Sequence, residues 1–117
     1  MDKQELIKQL SGVRFWRAQI EEHKETLRWL TDMNDLPGIQ KQRDRISRDV
    51  ARLVKSIDEA NALIELVNSP RLRLLLTARY INGKTIEWIA EEMDYTPRRV
   101  SDLHKSALQI ILSNKND

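Results

Sequence analysis

Two helix starts and one tight turn are written into the run Thr85-Ile86-Glu87-Trp88-Ile89-Ala90-Glu91-Glu92-Met93-Asp94-Tyr95-Thr96-Pro97-Arg98-Arg99-Val100. Thr85 offers a hydroxyl to the free N–H groups of a helix opening at Ile86, with the acid Glu87 in its first turn. Ile86, Ile89, Ala90 and Met93 then fall on one face at helical spacing. Asp94-Tyr95 interrupts the pattern, and Thr96 caps a second helix whose first position is Pro97, a residue that has no N–H to leave unpaired. The small Ala90 marks where two helices can approach closely. Val100 follows ten residues later, where the second helix needs a buried apolar anchor. Two short helices joined this way form a helix-turn-helix, with the second helix running to about Leu112.

Working outward, Ser69-Pro70 gives another cap-and-proline start, so a helix is expected from Arg71 to Ile81, stopped by Asn82-Gly83. In the last helix Val100, Leu103, Ala107, Ile110 and Ile111 are expected to face inward. Residues 69–117 therefore read as a three-helix domain.

Residues 1–68 have a different grain. From 2 to 33, Leu6, Val13, Ile20 and Leu27 recur every seven residues, with Trp16 and Leu30 at the intervening step. Asn34-Asp35-Leu36-Pro37-Gly38 crowds turn formers together and ends that helix. A second helix, from Ile39 to Val67, carries Ile46, Val50, Leu53, Ile57, Ala60, Ile64 and Val67, the a/d spacing of a coiled-coil seam. Two helices of about 30 residues, each roughly 45 Å long, joined by so short a loop should form an antiparallel hairpin. The expected fold is all-α: this hairpin over residues 1–68, serving oligomerisation or partner binding, then the helix-turn-helix domain. Leu10, Phe15, Trp29 and Leu63 fall outside a single seam. They predict a further covered surface, which a homodimer would supply.

Composition removes whole classes of function. The 117 residues include no Cys, which excludes disulfides, thiolate metal sites and cysteine nucleophiles. His23 lies on the seam of the first helix and His104 beside the core face of the last. Neither has a second His or an acid pair at ligand spacing, so both read as structural and no metal or cofactor is expected. A phosphate-binding glycine loop and a nucleophile elbow are also missing, so no catalytic residue is assigned and no enzyme is expected. No apolar run approaches the roughly 18 to 20 residues that span a bilayer, and the acid-bearing N-terminus fits no targeting signal. A cytoplasmic protein without a membrane partner is expected. With 20 Lys+Arg against 18 Asp+Glu, nucleic-acid binding must come from local arrangement of charge.

The run from Ala78-Arg79-Tyr80-Ile81-Asn82-Gly83 through Thr85 to Ile89-Ala90-Glu91-Glu92-Met93 resembles the fourth conserved region of bacterial sigma factors, the part that reads the −35 promoter element. Arg99-Val100, Leu103-His104-Lys105 and Ala107-Leu108 continue the likeness. A helical segment ahead of Ser69-Pro70-Arg71-Leu72-Arg73 is similar to the arrangement in small sigma-like regulators of phages and prophages of Gram-positive bacteria. The resemblance covers residues 69–112 and implies that the helix beginning at Thr96 reads bases. Taken at 100° per residue, the face opposite the buried arc presents Arg98, Asp102, Lys105 and Gln109, flanked by Arg99 and Ser101. Arg98 can chelate guanine in the major groove, while Arg99 and Lys105 can hold phosphates. Asp102 departs from the more basic family pattern. It must accept from a cytosine amino group or orient Arg98 four residues earlier if it is not to repel DNA.

Two features lie outside the resemblance. Lys41, Arg45, Arg48, Arg52 and Lys55 form one cationic stripe on the second helix, blunted by Asp44 and Asp49. It can track a DNA backbone, dock on an acidic protein, or simply be the wet side of a coiled coil. Trp88 sits opposite Ile86, Ile89 and Met93, where the family has an acid. It must pack on the hairpin, meet a second subunit or contact RNA polymerase. The expected function is a sequence-specific DNA-binding transcription regulator with double-stranded DNA as its partner. The rivals are an interaction protein that binds RNA polymerase without reading DNA, and a packaging protein like a phage small terminase subunit.

Overall fold

The computed structural model describes residues 1–33 and 36–116. All of its regular elements are helical: α1 (Lys3–Asp32), α2 (Ile39–Glu65), α3 (Pro70–Leu76), α4 (Ile86–Met93) and α5 (Pro97–Asn116). Four of the five helices start where a short oxygen-bearing side chain satisfies a free N–H. Asp2 accepts from the N–H of Glu5 at 2.9 Å, Ser69 from Leu72 at 3.3 Å, Thr85 from Trp88 at 3.0 Å and Thr96 from Arg99 at 3.2 Å. Asn34 and Asp35, part of the expected turn between α1 and α2, lie outside the described residues.

The hairpin is antiparallel. Near its loop, Leu30 of α1 packs with Ile39 and Ile46 of α2, flanked by Leu27, Met33 and Val50. At the other end Leu6, Leu10 and Val13 meet Ala60, Leu63, Ile64 and Val67. Between the two clusters Ile20, His23 and Leu53 are only half-buried, because two helices alone cover one side of each other.

The second of these clusters does not stop at the hairpin. Leu75, Leu76 and Tyr80, Ile89 and Ala90, and Val100, Ala107, Leu108 and Ile111 belong to the same continuous core. Leu10 and Leu63 are thereby covered within one chain, by the C-terminal helices. Phe15 and Trp29 stay 66% and 58% exposed. α1 runs antiparallel to α5, with the amino group of Met1 donating to Asn116 at 3.1 Å and Arg17 donating to the carbonyl of Ile81 at 2.9 Å.

The helix expected to run to Ile81 changes character at Thr77. Residues Thr77–Ile81 form a wider turn, in which the N–H of Asn82 bonds the carbonyl of Thr77 and that of Lys84 bonds Ala78. Gly83, at φ 68°, closes it in the left-handed conformation expected of the Asn-Gly stop. α5 continues past Leu112 to Asn116. Its buried arc is also rotated from the expected one: Leu108 is buried and Ile110 is exposed. The cause is α1, which packs on the Leu108 side of α5 and adds a neighbour that local spacing does not announce.

Candidate nucleic-acid interface

α4 and α5 meet at the turn Asp94-Tyr95. Asp94 takes the left-handed conformation (φ 58°), and the Tyr95 N–H returns to the carbonyl of Ala90 at 2.9 Å. Ala90, 2% exposed, and fully buried Val100 lie in the core where the two helices close, as their sizes led one to expect. This packing fixes α5 with its opposite side to solvent. Thr96, Arg98, Arg99, Asp102, Lys105 and Gln109 are all exposed, and Ser101 is half-buried.

Thr96, Arg98, Arg99, Asp102, Leu103 and Ser106 line one shallow depression of about 300 Å³. Ser106 was not singled out by helical spacing, yet it shares that surface. Asp102 is not ion-paired to Arg98. The ion pairs among the described residues are Lys24–Glu21, Arg28–Glu25 and Arg52–Asp49. Arg98 and Asp102 both face solvent. Arg99 is held differently, its guanidinium 4.7 Å from the centre of the Tyr95 ring, while Arg71 approaches the same ring at 5.6 Å. The contribution of Arg71 and Tyr95 is tertiary, and nothing in their spacing signals it.

On the opposite flank of α5, Tyr80 and His104 are joined by a hydrogen bond of 2.7 Å between the phenol oxygen and Nε2. Burial, reinforced by the nearby charges of Arg79 and Lys3, holds the His104 pKa below the ordinary imidazole value. Burial pushes the Tyr80 hydroxyl up. The bond between phenol and imidazole ties α5 to the wide turn.

The cationic stripe of α2 is fully solvent-facing: Lys41, Arg45, Arg48, Arg52 and Lys55 are all exposed. Its two neighbouring acids are engaged on the same helix, Asp49 by Arg52 and Asp44 by the amide of Gln40. Trp88 does not pack on the hairpin. It is 42% exposed, with the ammonium of Lys84 4.7 Å from its ring centre. It lines, with Leu74, Ala78 and Met93 among others, a mainly apolar groove of about 280 Å³ between α3 and α4. No helix of the described residues is long and apolar enough to cross a membrane, and no group of three or more His, Cys, Asp or Glu among them could hold a metal ion.

Compared with known proteins, residues 69–111 match the family model for sigma-70, region 4. The matched span contains α3, the wide turn, α4 and most of α5, and leaves the hairpin outside. No curated protein and no solved structure matches the chain.

Proposed function

We propose, from the premise that residues 69–111 are a sigma-70 region 4-type helix-turn-helix domain, that this chain is a sequence-specific transcription regulator that reads the major groove with α5. The observation that carries the proposal is the exposed polar face of α5, Arg98, Arg99, Asp102, Lys105 and Gln109 with Ser101 at its edge, mounted on a core that leaves it free. The helix opens at Thr96 with its N-terminal dipole toward the same side, which favours an anion such as a phosphate. Arg98 is assigned to a base edge, and Arg99 and Lys105 to phosphates. A regulator of phage or prophage type working on DNA in the cytoplasm accords with the resemblance over residues 69–112.

The test begins with selection of bound duplexes from a random pool. On the selected site, Arg98→Ala is expected to cost about 1 to 3 kcal/mol and to relax preference at one base pair. Lys105→Ala should weaken all sequences alike and flatten the salt slope. If wild-type protein shifts no duplex at low salt, the proposal fails. The same titration assigns the α2 stripe: the triple Gln variant at Arg45, Arg48 and Arg52 loses about 0.9 of log-log slope for each phosphate contact removed. An unchanged slope makes the stripe a solvated face or a protein contact.

The apolar groove at Trp88 supports a second contact, with RNA polymerase, because a protein surface is the ordinary cover for an exposed indole beside Leu74. A single module of this size buries little DNA surface, so dimerisation is part of the proposal. Phe15 and Trp29, about four helical turns apart on nearly one line of α1, are the exposed apolar groups such an interface would cover. Light scattering should report twice the chain mass of 13.8 kDa. A monomer at every accessible concentration removes the dimer and leaves DNA reading in place.

A further inference from the structure

Three cations, Arg14, Arg17 and Arg79, gather where α1 crosses the wide turn, and the sequence motif accounts for neither of the two that come from the hairpin. Arg14 and Arg17 of α1 lie beside residues 81–83, and Arg14 shares a surface hollow with Arg79 and His104. Two of them are held by backbone carbonyls. Arg17 donates one Nη1–H to the carbonyl of Ile81 at 2.9 Å, and Arg79 donates Nη1 to the carbonyl of Lys84 at 3.0 Å. The Arg14 guanidinium lies over Gly83 so closely that a Cβ at that position would collide with it. None of Arg14, Arg17 or Arg79 takes part in an ion pair among the described residues, although Glu21 borders the site.

Arginines anchored at one nitrogen and unpaired at the others are held ready for an anion, since the fork keeps most of its donors and has already lost much of its freedom. Their position names the anion. His104 lies on the same flank of α5 as Lys105 and Ser101, so the cluster continues the proposed reading face sideways across the Tyr80–His104 bond onto α1. A duplex lying on α5 presents a rail of phosphates on each side of its groove.

We infer that Arg14 and Arg17 of the hairpin form, with Arg79, a binding site for the phosphodiester backbone of DNA flanking the bases read by α5. The inference rests on the DNA-reading proposal. It adds that the hairpin is part of the DNA-binding surface, through residues that the family match does not include.

The test uses the full chain and a selected duplex extended by several base pairs on both sides. The double variant Arg14→Gln, Arg17→Gln is expected to lower the log-log salt slope by about 0.9 to 1.8, for one or two lost phosphate contacts, without changing which bases are selected. The double Lys variant should keep the slope. Trimming the flank on one side only should weaken wild type and leave the Gln variant unaffected. Because Arg17 also bonds Ile81, Arg14→Gln alone, which breaks no hydrogen bond of the fold, carries the test if the double variant melts early. Its expected loss is about 0.9 of slope. An unchanged slope in a folded variant, with wild type still selecting its site, overturns the inference while DNA reading stands. Failure of wild type to bind any duplex overturns both.

Discussion

A peptide of residues 69–117 removed from the chain is expected to show no cooperative unfolding transition, even though it contains the whole matched domain. Leu75, Leu76 and Tyr80 would lose Leu6, Leu10 and Val13 of α1 and Leu63, Ile64 and Val67 of α2 from their cluster. Each such side chain contributes about 1.5 to 3 kcal/mol when fully buried. A few of them together equal the net stability of an ordinary domain, about 5 to 15 kcal/mol. The isolated segment should therefore keep partial helicity and bind DNA poorly at any salt. Thermal melting followed by circular dichroism decides it: a sharp transition in the fragment would show that the three helices close a core of their own.

Leu10→Ala and Leu76→Ala, one on each side of the apparent boundary at residue 69, should each destabilise the chain by about 2 to 5 kcal/mol, because both side chains are fully buried and the space they leave cannot collapse freely. At about 4 °C or more per kcal/mol, the melting temperature should fall by at least about 8 °C in either variant. The diagnostic point is where the loss is seen. In chains keeping only Trp29, on the hairpin, or only Trp88, on α4, both reporters should move together with either substitution. Two separated transitions, with Leu76→Ala affecting only the Trp88 signal, would mean that hairpin and helix-turn-helix unfold as independent units.

Much of this architecture was legible because it is written in local chemistry. Ser69, Thr85 and Thr96 cap where a hydroxyl precedes an apolar face, and Gly83 adopts the conformation that only a residue without a Cβ enters cheaply. Ala90 and Val100 are buried for the same reason that made them readable, since size at a helix crossing is a local requirement. Contacts between distant elements were not legible. The surplus of apolar groups at Leu10 and Leu63 announced a covering surface, but the cover came from the same chain, leaving only Phe15 and Trp29 to seek another. Ile110 and Leu108 exchanged places because α1 approaches α5 from a side that periodicity within α5 cannot know. Arg14 and Arg17 were invisible for a like reason: on a helix rich in both charges, nothing in their spacing says that a turn more than sixty residues away will sit beneath them.

The half-buried middle of the hairpin, at Ile20, His23 and Leu53, has a mechanical meaning. It joins a root locked into the common core to a tip closed by Leu30, Ile39 and Ile46. Sparse burial at these positions favours local compliance in the middle of the arm. The hairpin is thus an arm rooted in the core of the C-terminal helices. A force on the tip flexes the arm at its waist before it can tilt α5. If α5 reads a duplex as proposed, bending at this waist would let the tip change direction without displacing the helix that reads.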